Sequence, residues 1–395
     1  MYRRINIYIH LASLSSALLI GASYPASVLA EINKTHTTEL NSTQIDWNYE
    51  RTLTSLPLKG DIGYVPWRDD YWATNRGEIN RRWDDSIATM PSESEVKAMS
   101  NAELRNLSPA EKYDISRGDF GYTVTNAVFK KLEQTASRSG GSFRNAPGWE
   151  GLCHGWANAS LNFKAEPKAI EYKGKFEKPI PFGSSDTKAL LTWFQGEWGT
   201  GVTSGVAKHD VRRSIGKTCP LPVENPQFTT HRDCNDISPD VFHVVLANRI
   251  GIDKKGFVSD TEFNEQVWNF PVYRYKSTIK GVSLPEKGKY LAEGVKAVRM
   301  QTTIAVAIEI HPSWTATGIA NESFATKTID YEYDLILDAK GRIVDGSWIA
   351  NSARPDTIWI YEAFNFKPLN SNADGEETDI LSSELGRIYE AATAE

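Results

Sequence analysis

The 395-residue chain carries 44 Lys and Arg against 50 Asp and Glu, a formal charge of −6. An acidic balance with no basic, aromatic-interleaved stripe argues against a nucleic-acid partner, and beyond the first thirty residues no stretch is apolar enough to span a bilayer. The 12 Trp, 16 Tyr and 15 Phe supply core and also suit a groove that grips extended peptide or glycan.

Residues 1–30 read as an export signal. Arg3 and Arg4 open it, an apolar run extends from Leu11 to Ala22, and Val28-Leu29-Ala30 offers small residues for cleavage near Ala30. The expectation is a secreted or periplasmic protein. Residues 31–105 form an N-terminal leader that begins polar and without hydrophobic period. From Asp46 to Asp85 it becomes dense in tryptophan and proline, as in Tyr64-Val65-Pro66-Trp67 and Asp70-Tyr71-Trp72. Such a segment ahead of a catalytic domain suggests a pro- or gating segment, as in a zymogen.

Three capping signatures follow: Ser92 with Glu95, Ser100 with Glu103, and Ser108-Pro109 with Glu111. Each sets an N-cap hydroxyl three residues before a glutamate that bonds back, predicting short helices over Glu93–Lys97, Asn101–Arg105 and Pro109–Ile115. Longer helices are predicted over Thr123–Ala136 and Asp186–Phe194. After Gly201 the pattern turns to strand: Val241–Asn248, Gly256–Asp260, Glu265–Lys276, Gln301–Ile310, Tyr331–Asp338, Arg342–Trp348 and Thr357–Tyr361. Ala339-Lys340-Gly341 makes a hairpin turn. The acidic tail, 370–395, carries a helix near Asp379–Ala392. Helices first and antiparallel strands after give an α+β plan, with residues 106–369 as the catalytic domain.

The stretch Gly148 to Phe163 reads as a loop running into a helix that opens at or just before Cys153. A sulfur there is favoured as thiolate by the helix dipole, and the free N–H groups, that of Cys153 included, can hold an oxyanion. Buried free cysteines are also ordinary apolar filler. Cys219 and Cys234, close in sequence and flanked by loop residues, are the natural disulfide of an exported chain, a closure that would stabilise by about 3 kcal/mol. Cys153 is then the leftover, reactive thiol.

Of seven histidines, His243 sits in the apolar run predicted as a strand, where it must find partners. It is either a satisfied core histidine or the base that takes the proton of Cys153. The third group depends on the turn. A turn near Gly251 sets Asp260 opposite His243. A turn over Asp253–Gly256 sets Gln266 there, with Asn269 nearby.

The order Cys, His, Asp resembles the transglutaminase and papain-like superfamily, and more closely the transglutaminase-elicitor family of oomycete plant pathogens and some marine bacteria. Leu152-Cys153-His154-Gly155-Trp156-Ala157, Phe242-His243-Val244-Val245-Leu246 and Val267-Trp268-Asn269-Phe270-Pro271-Val272 carry the likeness. The last resembles the peptide that plants recognise, although Phe270 stands where the family usually has Gln.

The resemblance implies a papain-like core with the cysteine on a helical half and His and Asp on an antiparallel sheet. It implies a protein-glutamine γ-glutamyltransferase: Cys153 attacks a glutamine side chain of one protein, and a lysine or other amine then takes the acyl group. His243 would be base and acid and Asp260 its orienter. Trp149, Trp268 and Asn269 are candidates for the oxyanion site or acyl channel, with core packing the plain alternative for Trp149. A papain-like protease or a deamidase would use the same groups with water, and a non-catalytic secreted binding or elicitor module would need none of them. No cofactor and no metal ligand set is demanded by the sequence. The family leaves room for calcium, and the Asp233–Asp240 loop has carboxylates, but without the spacing of an EF-hand loop.

Overall fold

A computed structural model describes residues 48–198, 212–216, 237–261, 266–285, 294–318, 326–349, 353–361 and 375–394. Cys219, Cys234, His209, His231 and the signal at 1–30 lie outside the described residues. No helix among the described residues is long and apolar enough to cross a membrane.

The helical half comes first. The three capping boxes form as the sequence requires, starting α1 (Glu93–Ala98), α2 (Asn101–Asn106) and α3 (Pro109–Ser116). In each, the serine hydroxyl accepts from the glutamate N–H while the glutamate side chain accepts from the serine N–H. Then come α4 (Thr123–Arg138), α5 (Cys153–Asn162) and α6 (Ser184–Trp193), with α7 (Pro239–Leu246) and α8 (Gly375–Thr393) later. A buried ion pair ties α3 to α6: Lys112 Nζ lies 2.6 Å from Asp186 Oδ2, with neither side chain exposed. Asp186 also accepts from Trp83 Nε1, so both charges are compensated, as burial demands.

The strands are β1 (Lys59–Asp61), β2 (Ile170–Tyr172), β3 (Ile180–Phe182), β4 (Arg212–Gly216), β5 (Phe257–Asp260), β6 (Asn269–Ser283), β7 (Lys296–Ala307), β8 (Thr326–Leu337), β9 (Ile343–Trp348) and β10 (Thr357–Tyr361). All but β2 and β3 join one sheet, ordered β4-β10-β5-β6-β7-β8-β9, with β1 also paired to β6. Every pairing is antiparallel. The β8–β9 turn is the expected hairpin, with Gly341 at φ +77°.

Apolar cores form on both sides of this sheet. Val241, Phe242, Val245, Val272, Val306, Tyr331 and Tyr333 belong to one, and Trp156, Leu190, Phe194 and Val258 to the other. The segment read as a leader is built into both. Leu53, Leu56 and Val65 enter the first core, and Trp67, Trp72, Val96 and Leu104 the second. Its described part is therefore integral to the fold.

One element differs in kind. The run predicted as a strand over Val241–Asn248 is the helix α7, followed by a π-helical turn over Ala247–Ile252. All eight residues of α7 are buried. A helix hydrophobic on every side loses the 3.6-residue pattern that would reveal it. Pro239 at its first position marks the start.

Candidate active site

Cys153 is the first residue of α5, as the loop-to-helix reading requires. The approach is fixed by the segment around Tyr71. Leu152 N–H donates to Tyr71 O at 2.6 Å, Thr74 N–H to Glu150 O at 2.9 Å, and Tyr71 Oη to Gly148 O at 2.6 Å. Gly151 allows this approach, because a Cβ there would meet the Tyr71 ring at 2.7 Å and its carbonyl oxygen at 2.8 Å. Gly155 serves the other side of the helix. A Cβ on it would collide with the Thr192 carbonyl of α6. The Cys-His-Gly-Trp sequence thus has a packing reason for its glycine and, in the fully buried Trp156, for its tryptophan.

The sulfur is 4% exposed as a residue and faces the start of β6. Asn269 Nδ2 donates to Sγ at 3.5 Å, and Sγ lies 3.6 Å from Val267 O. Burial pushes the thiol up to about 11, against the lowering effect of the Asn269 backbone and side-chain hydrogen bonds. Glu309 and Asp260 add weaker upward pushes. The thiol is therefore protonated at neutral pH and requires a proton acceptor before it can attack.

Asp260 and Asn269, the two alternatives for the third group, are register partners across β5 and β6. Asp260 Oδ1 accepts the Trp268 N–H at 3.2 Å, which holds the backbone that presents Asn269. Trp268 itself is partly exposed, its ring meeting Tyr71 edge-on at 5.5 Å between centroids. Trp149 is also partly exposed, in the loop before Cys153.

His243 is not brought to this cluster. Asn269 and Val272 are three positions apart on β6 and point to opposite faces; Val272 pairs with Val306, which shares a face with Thr302 four residues earlier. Thr302 Oγ1 is 2.7 Å from Tyr333 Oη, and that hydroxyl is 2.7 Å from His243 Nδ1. The sheet therefore separates His243 from Cys153. Burial holds the His243 imidazole down, to about 4, so the ring is neutral. Its position on a strand facing Asp260 is corrected by α7: Asp260 pairs instead with Asn269 and, across β10, with Thr357.

One residue that the sequence did not single out joins the site. The β6–β7 pairing sets Val272 against Val306. Glu309 follows two residues after the end of β7, beyond the last β6–β7 pair. Its charge, like that of Asp260, raises the Cys153 thiol. Burial raises the Glu309 carboxyl to about 8, with a further push from Asp70. The sequence signal is only a strand-end glutamate, which has no meaning without the fold.

Among the described residues no group of three or more His, Cys, Asp and Glu side chains is placed to hold a metal. From the loop considered for calcium, Asp240 is buried at the start of α7, while Asp233 and Asp236 lie outside the described residues.

No curated protein sequence matches the chain significantly. Among solved structures it is similar to the crystal structure of the GP42 transglutaminase from Phytophthora sojae, with 20% identity, a TM-score of 0.59, and 93% of this chain and 99% of that one covered. At that identity the likeness concerns the fold. The family model for the transglutaminase elicitor matches residues 42–372. By the reach of that match across both halves of the fold, the chain belongs to the transglutaminase elicitor family.

Proposed function

We propose that the protein is a protein-glutamine γ-glutamyltransferase with Cys153 as its nucleophile. The observation that carries this reading is the meeting of a helix-opening thiol with the side-chain amide of Asn269. The Cys153 thiolate attacks the carboxamide carbon of a glutamine side chain and forms a C–S bond. The tetrahedral oxyanion is held by the Cys153 N–H at the start of α5. Ammonia leaves, and a thioester remains. A lysine amine then attacks the thioester, the C–S bond breaks, and an isopeptide is formed. Asn269 donates to the sulfur in its anionic form, and Asp260 positions Asn269 through the Trp268 N–H.

In the same reading the Tyr71 segment acts as a gate. It packs against the loop before Cys153 and against Trp268, and a glutamine substrate reaches the sulfur when that contact opens. A role in recognition rests on a different observation, the exposure of Gln266 and the partial exposure of Trp268 just ahead of Asn269. Incorporation of a labelled primary amine into a glutamine-containing protein tests the enzymatic reading. Cys153→Ala must abolish incorporation and leave recognition unchanged. Incorporation that survives Cys153→Ala would refute it.

A further inference from the structure

Resting on the transferase reading, we propose that Glu309 is the acid–base residue of this site, taking the thiol proton of Cys153 and returning it to the departing ammonia. Its position is the first reason. Glu309 lies two residues past the end of β7, and the β6–β7 register, extended beyond its last pair Val272–Val306, runs it toward Asn269. Asn269 touches the sulfur. Asp260 and Asn269 pair across β5 and β6, and Glu309 is near enough for its charge to raise the Cys153 thiol.

The second reason is an unmet group. Glu309 Oε1 is buried and has no hydrogen-bond partner among the described residues. A buried polar atom without a partner is costly to the fold, and such atoms collect where chemistry needs them. Asp260 Oδ1 accepts the Trp268 N–H, and the amide of Asn269 has no basic atom to take a proton.

The groups facing Glu309 agree with the role. Asp70 raises it and is itself paired with Arg81 at 2.8 Å. Tyr71 and Cys153 feel its charge. Ile310 N–H, one residue on, donates to Asp69 O at 3.0 Å and holds the strand end against the Tyr71 segment. A carboxyl that titrates near 8 is anionic often enough to accept a proton and acidic enough to give it back.

The proton balance closes. The Glu309 carboxylate takes the S–H proton as the C–S bond forms. The resulting carboxylic acid protonates the amide nitrogen as the C–N bond breaks, releasing ammonia. In the second half the carboxylate takes a proton from the attacking amine, and the thiolate recovers it as the thioester C–S bond breaks.

The test uses full-length protein with Glu309→Gln and Glu309→Asp. Two rates are followed from pH 6 to 10: amine incorporation, and alkylation of Cys153 by iodoacetamide, which needs no turnover. Wild type should show a rising limb centred near 8 in both. Glu309→Gln should lose that limb and about a hundredfold in kcat/KM, and Glu309→Asp should restore part of each.

Thermal unfolding gives a third readout. A carboxyl raised in the folded state binds its proton more tightly folded than unfolded, so it costs stability as pH climbs from about 4.5 toward 8. Glu309→Gln should remove that loss. A limb near 8 that persists unchanged in Glu309→Gln overturns the proposal. A wild type that incorporates no amine, yet shows the Glu309-dependent alkylation limb, removes the transferase reading and leaves the proton relay standing.

Discussion

Asn269 reaches the sulfur of Cys153 from a strand 116 residues away in sequence, with its Nδ2 3.5 Å from Sγ. A hydrogen bond to a charged acceptor contributes about 1.5–3 kcal/mol, more to the thiolate than to the thiol. Asn269→Ala should therefore slow Cys153 alkylation and amine incorporation together, by roughly ten- to a hundredfold. Parallel rate profiles in the two assays would check it. Unchanged alkylation in a folded Asn269→Ala protein would remove the amide from the account.

His243 lies on the opposite face of the sheet, its Nδ1 2.7 Å from Tyr333 Oη. Its pKa is about 4 in the fold against about 6.5 in an unfolded chain. Between those values the unfolded chain binds a proton that the folded protein refuses. Stability is thus fully present above pH 6.5 and falls as pH drops toward 4, by on the order of 3 kcal/mol from this group. His243→Gln should flatten that acid loss and cost about 1–3 kcal/mol near pH 7.5 by disturbing the bond to Tyr333. Its folded fraction should keep its turnover. Loss of turnover with stability intact would return His243 to the reaction.

In the proposed gate, Tyr71 stands over the approach to Cys153. Replacing it by Ala removes the ring contact with Trp268 and the bond to Gly148 O, so Cys153 should become more accessible. Faster alkylation of Tyr71→Ala at pH 9, compared with wild type, is the expected result. Deletion of residues 31–105 should instead prevent folding, because it removes Leu53, Trp67, Trp72 and Leu104 from the two cores. Circular dichroism of the truncated protein checks this.

The pair Lys112 and Asp186 holds the helical half together. Lys112→Met leaves a buried carboxylate without its cation and should destabilise by about 3–5 kcal/mol. Combining it with Asp186→Leu should recover much of the loss, although the Trp83 Nε1 and Gly183 N–H bonds are then unmet. Urea unfolding of the single and double variants measures the difference.

What could be read from the chain was what is local. The three serine–glutamate caps are contained in four residues each, so they were legible, as was the helix that Cys153 opens after its glycine-rich approach. Asp260 and Asn269 were both found, but as rivals. Each was placed by a strand turn after His243, where the chain instead makes α7 and its π-helical end over Ala247–Ile252. The Val-Phe-His-Val-Val-Leu run was misread because full burial of a helix hides its period behind β-branched residues. Glu309 was missed because nothing in its local sequence sets it near Cys153; the fold does so at the end of β7. Long-range pairing, not residue type, carries that information.

The central claim is that Cys153 forms an acyl-enzyme with a glutamine side chain. Mass spectrometry of the protein quenched in acid during reaction with a glutamine-containing peptide and no added amine tests it most directly. The account predicts a mass increase equal to the peptide less ammonia, confined to Cys153 and absent in Cys153→Ala. A peptide consumed with release of ammonia, but with no adduct on Cys153 and with equal speed in Cys153→Ala, would contradict it.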